Sequence, residues 1–308
     1  MKETIRSLPV TSLLPNSDVI IDIPVGSVLK SILIDLFGLV SITTAGAALR
    51  DEQPFGLIRR VQLLDDGTPT WVLPNTMLRT LNVVEGKTVP IVTPLAGVGI
   101  QTNTPFRAFT RIDLDPLDTV SKDLMFLDTR ELSTLKLLLS IGDLTDLVVG
   151  GAGSLSALIV RTHVIEVPDA LPSGNIRRLF TLQRQMTATT SDFDIIMPVN
   201  KVYRRVFVKA QAGDTRNDAM INQLSLISGN DHLYNTLRFS SLQALNKGTF
   251  GVEGVLTGEG VLDFDTNLDY SYLLDSVGIG ELVARFDTVL QPGVNFITLL
   301  AEEITSLR

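Results

Sequence analysis

Hydrophobic and polar positions alternate along most of this chain in short runs rich in Val, Ile and Leu. Asp18 to Pro24 and Leu29 to Leu36 are the first two such runs, punctuated by Pro24, Gly26 and Gly38. A two-residue period with β-branched side chains predicts strands, and their closeness predicts a hairpin or a strand pair. Thr44 to Phe55 is small and polar, hence loop. Ile58 to Leu64 follows as a strand, reversed by Asp65-Asp66-Gly67 into Thr70 to Leu73, because Asp and Gly tolerate tight reversals. Phe106 to Leu114 and Leu155 to Val167 are further strands. Leu132 to Ile141 fits a helical period through Leu132, Leu135 and Leu139 and a strand period through Leu135, Leu137, Leu139 and Ile141; the β context and Gly142 favour strand. The rest of the chain predicts strands at Phe180 to Thr187, Phe193 to Met197, Val202 to Ala210, Ile221 to Ile227, Val261 to Leu268, Leu282 to Leu290 and Val294 to Leu300.

Helical spacing interrupts this pattern twice. Met77, Leu78 and Leu81 share a face behind Asn75 as a cap, with Gly86 as a stop; Leu242 and Leu245 do so behind Ser240 or Ser241, with Gly248 as the stop. Asp128-Thr-Arg-Glu131 has the spacing of a capping box and predicts a turn of helix. Val89 to Pro105 holds Pro90, Pro94, Pro105, Gly97 and Gly99 but few charges. An apolar segment of that length reads as a subunit contact or a lid.

The elements recur in the same order. Asp18 to Ile34 is echoed by Asp192 to Val208, with Pro24 and Pro198, Val28 and Val202, and Ile32 and Val206 all 174 residues apart (198 − 24). The aligned prolines predict a bend or an edge position in one strand of each copy. Leu78, Leu81 and Asn82 are answered by Leu242, Leu245 and Asn246, and Leu127-Asp128 by Leu274-Asp275. Copies of about 150 residues exceed the roughly 20 to 50 residues of a solenoid or propeller repeat. The chain therefore reads as two tandem domains, residues 1–172 with a short N-terminal arm and 173–308, joined through Leu171-Pro-Ser-Gly-Asn175. Many short strands with turn signals, and long connections carrying short helices, give an all-β fold of two tandem eight-stranded jelly-roll barrels.

Composition narrows the chemistry. There is no cysteine, which removes disulfides and thiolate sites together. Charged residues are 19% and the mean hydropathy is +0.28, so some apolar surface is expected against other subunits. A net charge of −8 argues against direct, sequence-specific nucleic-acid binding, which needs clustered Lys and Arg. The most apolar stretch, Val28 to Ile42, is broken by Lys30 and Asp35, so neither a targeting segment nor a membrane span is expected.

No catalytic residue emerges. Gly86-Lys-Thr88 has Leu81 where a phosphate-binding loop needs glycine, Gly258-Glu-Gly260 lacks a third glycine, and there is no Gly-x-Ser-x-Gly. His163 and His232 fall in different domains and cannot form a metal cluster; His163 reads as a hydrogen-bonded residue of an apolar strand and His232 as a loop residue. Carboxylates remain. Asp113, Asp115 and Asp118 surround Pro116, and Asp263, Asp265 and Asp269 hold the corresponding place in the second copy. Such sets can serve acid–base hydrolysis or hold a structural calcium, and against both stands their use as plain solvated positions. A carbohydrate-binding or glycan- or amide-hydrolysing double jelly roll is the alternative to a structural role, although aromatics are only 6%.

Ile58-Arg-Arg-Val-Gln-Leu-Leu-Asp-Asp-Gly67, Phe126-Leu-Asp-Thr-Arg-Glu-Leu132 and Leu135-Lys-Leu-Leu-Leu-Ser-Ile-Gly142, with their weaker copies, carry a family resemblance. The chain resembles the double-jelly-roll major capsid proteins of tailless icosahedral viruses with an internal membrane, such as bacteriophages PRD1, PM2 and FLiP. That resemblance implies a virion protein assembled in the host cytoplasm, forming a homotrimer of pseudo-hexagonal outline and then a capsid lattice. It also implies penton and minor capsid proteins as partners, with membrane lipids near the inner face.

Overall fold

The computed structural model describes residues 2–52, 54–86, 92–93, 99–114, 125–213, 215–251, 257–266 and 272–306. Two compact units divide the chain between Ile176 and Arg177. In the first the principal elements are β1 (Thr4–Ser7), β2 (Asp18–Ile23), β3 (Val28–Ile42), β4 (Ile58–Asp65), β5 (Thr68–Pro74), α1 (Asn75–Gly86), β6 (Gln101–Asp113), β7 (Leu135–Ile141) and β8 (Gly153–Glu166). The second is built from β9 (Asn175–Met186), β10 (Thr190–Met197), β11 (Val202–Ala212), β12 (Ile221–Ser228), β13 (Asp231–Arg238), α2 (Phe239–Phe250), β14 (Glu259–Asp263), β15 (Leu282–Thr288) and β16 (Asn295–Ser306).

Within domain one the strands form two sheets, ordered β1-β8-β3-β6 and β2-β7-β4-β5. Domain two repeats this as β9-β16-β11-β14 and β10-β15-β12-β13. First pairs with eighth, second with seventh, third with sixth and fourth with fifth, which is the jelly roll. Both helices occupy the connection from fifth to sixth strand. Alternation explains the cores. Ile21 and Ile23, Ile32 and Ile34, Val61 and Leu63, and Leu137 and Leu139 are all buried in domain one. In domain two Phe193, Ile195 and Met197 share a core cluster with Val206, Val208, Leu224, Leu226, Leu282, Phe286, Ile297 and Leu299.

The second and third strands are not a hairpin. β2 pairs with β7, whereas β3 pairs with β6 and β8 in the other sheet. Pro24 and Pro198 each stand one position beyond the second strand, in the crossing between sheets rather than at an edge position inside a strand. Positive φ at Gly26 (+98°) and at Asn200 (+60°) turns the chain there, conformations that Gly and Asn adopt most readily. One hydroxyl pins each crossing. Thr129 Oγ1 accepts from the Ser27 N–H at 3.2 Å and donates to the Ser27 carbonyl at 2.6 Å. Ser276 Oγ does the same with the Lys201 N–H and carbonyl, at 2.8 and 2.7 Å. Backbone bonds complete both sets: Thr129 N to Ser27 O and Gly26 N to Thr129 O, Ser276 N to Lys201 O and Asn200 N to Ser276 O.

Other differences from the sequence pattern are local. β3 runs through Gly38 because a Cβ there would lie 2.5 Å from Leu158 and 2.6 Å from Phe106; the glycine permits close packing and is no turn. Thr4–Ser7 is no free arm but β1, paired with Glu166–His163. Asp128 accepts from the Arg130 N–H and guanidinium, so Asp128 to Glu131 forms a turn without a helix; the capping box belongs to Asp143 and Asp146. α2 begins at Phe239 without a side-chain cap, runs through Gly248 and ends before Gly251. β13, which includes His232, is a strand that the sequence pattern did not predict. Residues 89–91 and 94–98 of Val89 to Pro105 lie outside the described residues; Val92–Thr93 is a short strand paired with Ala108 and Arg107, and Gln101 to Pro105 belongs to β6.

Thr129→Val and Ser276→Ala remove the pinning hydroxyls and leave the part-buried N–H groups of Ser27 and Lys201 short of a partner, at about 1–3 kcal/mol each. Urea unfolding of the two variants and of Thr129→Ser checks this, with Thr129→Ser expected close to the parent.

Candidate functional site

The candidate carboxylates that fall within the described residues stand at the end of the sixth strand of each domain. Asp113 closes β6 and is buried; it accepts from Ser31 Oγ at 2.5 Å and from Arg111 Nε at 2.7 Å. Asp263 closes β14, lies 3.2 Å from Arg205 Nε and accepts from the Asp265 N–H. Asp265, buried, accepts from Arg204 Nε at 2.8 Å. Asp115, Asp118 and Asp269 lie outside the described residues. Ser31 and Arg205 are cross-strand partners of Asp113 and Asp263, so the acid is kept in both copies while its opposite residue changes from hydroxyl to cation. Each of the three is engaged by arginine, which leaves no open carboxylate pair there for acid–base chemistry. Among the described residues, no three His, Asp or Glu side chains converge as a metal site.

Arg204 continues into a larger arrangement that sequence reasoning missed. Glu302 on β16 takes Arg177 Nε at 3.0 Å and Arg204 Nη1 at 3.1 Å on the same oxygen, with all three side chains fully buried. Arg205 lies over the Phe250 ring at 5.2 Å. Farther along β11, Lys209 Nζ stands 3.6 Å from Glu259, which Arg216 approaches at 3.7 Å. Burial pushes the Glu302 carboxyl up, but Arg177, Arg204 and Arg205 outweigh it and hold the group below its ordinary value. Domain one has Ile165 at the place of Glu302 and Lys30 at that of Arg204. The signal was present in Val202-Tyr-Arg-Arg-Val-Phe-Val-Lys209, an apolar strand pattern carrying three cations.

The remaining candidates have structural partners. Nδ1 of half-buried His163 is 2.9 Å from Ser7 Oγ, tying β1 to β8; His232 is exposed on β13. Asn82 and Asn246 join each helix to the sixth strand. Asn82 donates to Thr110 Oγ1 and accepts from the Arg111 N–H; Asn246 donates to the Val261 carbonyl and accepts from its N–H. Trp71 is buried, which withdraws the one tryptophan as a sugar platform. No described helix is long and apolar enough to cross a membrane. Exposed apolar side chains do occur in number, among them Ile5, Leu14, Ile20, Leu171 and Ile196.

The two domains together are a double jelly roll, and solved structures carry the same fold over the whole chain. No family model and no curated protein matches the sequence. The crystal structure of the STIV major capsid protein is 14% identical, with a TM-score of 0.77 over 98% of this chain and 97% of that one. A chain from the atomic structure of Sulfolobus turreted icosahedral virus reaches 0.78 at 13% identity, covering 100% of this chain and 92% of its own. The major capsid protein of bacteriophage PM2 reaches 0.70 at 11% identity, over 100% of this chain and 98% of that chain.

Glu302→Ala leaves Arg177 and Arg204 buried beside a missing charge, a change that costs about 3–5 kcal/mol. The folded pKa of Glu302 is depressed, so its contribution is complete above the ordinary value of 4.5 and is lost as pH falls through the lower folded value. Denaturant midpoints measured from pH 7 to pH 3 should therefore decline in the parent at the acid end, and Glu302→Ala should lack the part of that decline that Glu302 supplies.

Proposed function

We propose that this chain is a viral major capsid protein, the structural subunit of an icosahedral shell. The observation that carries this reading is the repeated eight-strand order. Three copies of a chain with two like-folded domains present six similar edges, so a threefold trimer can tile a hexagonal lattice. Full-length similarity to viral capsid proteins supports the same role. So does the engagement of the described candidate carboxylates by arginine, which suits rigidity better than catalysis.

In this reading the trimer is the capsomer, its contacts take up exposed apolar side chains such as Leu14 and Leu171, and penton and minor capsid proteins complete the shell. Assembly occurs in host cytoplasm around an internal membrane, and the protein resides in the virion. Obligate interfaces bury about 2,000–5,000 Å², enough to hold such a trimer without disulfides.

Mass photometry of the purified chain at micromolar concentration is expected to give a trimer, and electron microscopy of concentrated protein or of infected-cell lysate to give regular shells. A stable monomer throughout that range would overturn the reading.

A further inference from the structure

The outer faces of the β1-β8-β3-β6 and β9-β16-β11-β14 sheets match in register but not in burial. In domain two, Val206 and Val208 belong to the core cluster, which turns Phe207, Lys209 and Gln211 to the other face of β11. Leu300, Thr298, Val261 and Glu259 stand across from Phe207 and Lys209. Each of these seven residues is at most 7% exposed, so domain two buries this outer face within the chain. In domain one the matching places, 174 positions earlier (207 − 33), are held by Leu33, Asp35 and Phe37. They pair with His163, Arg161 and Ile159 on β8 and with Arg111, Phe109 and Arg107 on β6. Here the surface stays partly open. Leu33, Phe37, Phe109 and Ile159 are only half-buried, and the side chains of Arg107 and Arg161 are 47% and 46% exposed although both reach Asp35.

We infer that the outer face of β3, β6 and β8 is where domain one receives a second copy of the chain within the trimer. Like-folded domains in a pseudo-sixfold ring use like faces, so the face that domain two buries within its own chain is the one that domain one keeps for a neighbour. The inference rests on the capsid reading, which supplies the threefold axis. Around that axis the two domains alternate, and the neighbour that another copy brings to domain one is therefore a domain two. The chemistry of the face suits a protein partner: aromatic and aliphatic side chains lie among arginines, the residue types that protein contacts favour. Arg107 and Arg161 share Asp35, and Arg111 is held by Asp113. Guanidiniums already bound to carboxylates offer little to a phosphate backbone, whose binding depends on unspent positive charge. Three arginines against two aspartates still leave these rows positive on a chain of net charge −8, which attracts another copy of the same acidic chain.

Arginine footprinting of the unmodified chain tests the contact. Isolated trimers are treated with phenylglyoxal, which modifies accessible guanidiniums, and the extent at each arginine is read by peptide mass spectrometry. Arg130 is the internal reference, because its side chain is 45% exposed and likewise paired to an aspartate. Arg107 and Arg161 are expected to react on the order of tenfold more slowly than Arg130, since a closed interface opens only rarely. Phe37→Glu gives a second reading: its carboxylate has Arg107 opposite within the subunit, so the chain is expected to fold, as circular dichroism would show, but to run as a monomer in mass photometry at micromolar concentration. Equal modification of the three arginines in the trimer, protection that appears only in assembled particles, or a Phe37→Glu trimer as stable as the parent would each overturn the contact while leaving the capsid reading standing. Loss of folding in Phe37→Glu would show that Phe37 serves the subunit's own packing and would overturn its place in the contact. A parent chain that stays monomeric would remove the capsid reading and the contact with it.

Discussion

Everything in this fold depends on two consecutive strands parting at Pro24 and again at Pro198. A chain of alternating strands pairs most easily with its nearest neighbour, because closing a short loop costs little conformational entropy. Here the second strand must enter one sheet and the third the other. Proline, a residue at positive φ and a buried hydroxyl bring this about: Gly26 with Thr129, and Asn200 with Ser276. The hydroxyl both accepts and donates at Ser27 and at Lys201, so the crossing backbone has partners although it lies between ladders. A slip of one residue beyond the crossing would turn Ile32 and Val206 out of their cores.

Much of this was legible in the sequence, and the failures have a common cause. Strands whose faces are buried announce themselves, as Ile21 and Ile23 or Phe286 and Leu282 do. The strands that escaped notice, β1 and β13, lie at sheet edges with one neighbour each among the described residues, and apart from Tyr234 and Leu237, which pack against the core, their described side chains are polar or exposed. Local alternation also cannot say which sheet a strand joins, which is why Asp18 to Pro24 and Leu29 to Leu36 suggested a hairpin. Gly38 looked like punctuation, yet its missing side chain makes room for Phe106 and Leu158. The pinning hydroxyls directly follow the repeated Leu127-Asp128 and Leu274-Asp275 pairs, and a hydroxyl at the same place in both copies was their only sign.

The copies keep topology and exchange chemistry. Asp113 and Asp263 hold one position with different partners, and Glu302 stands where domain one has Ile165. Buried ion pairs contribute less to net stability than well-packed apolar groups, but breaking one is costly. Domain two consequently relies on charges that must be present together, whereas domain one has apolar Ile165 in place of the central glutamate and pairs Lys30 with Glu3 and Asp113 with Arg111, each pair having a partly exposed member.

The asparagine clamps have an effect of another kind. Asn82 reaches its strand partner Arg111 29 positions away, and Asn246 reaches Val261 15 positions away, yet the helix joins the sixth strand in the same place in both domains. Doubling a loop adds only about 0.6 kcal/mol of closure cost, so the chain between clamp and strand is free to lengthen or shorten while the barrel beneath it stays unchanged. That stretch is where this scaffold can acquire new surface ornament, such as an added loop or a grafted peptide, without rewriting its core.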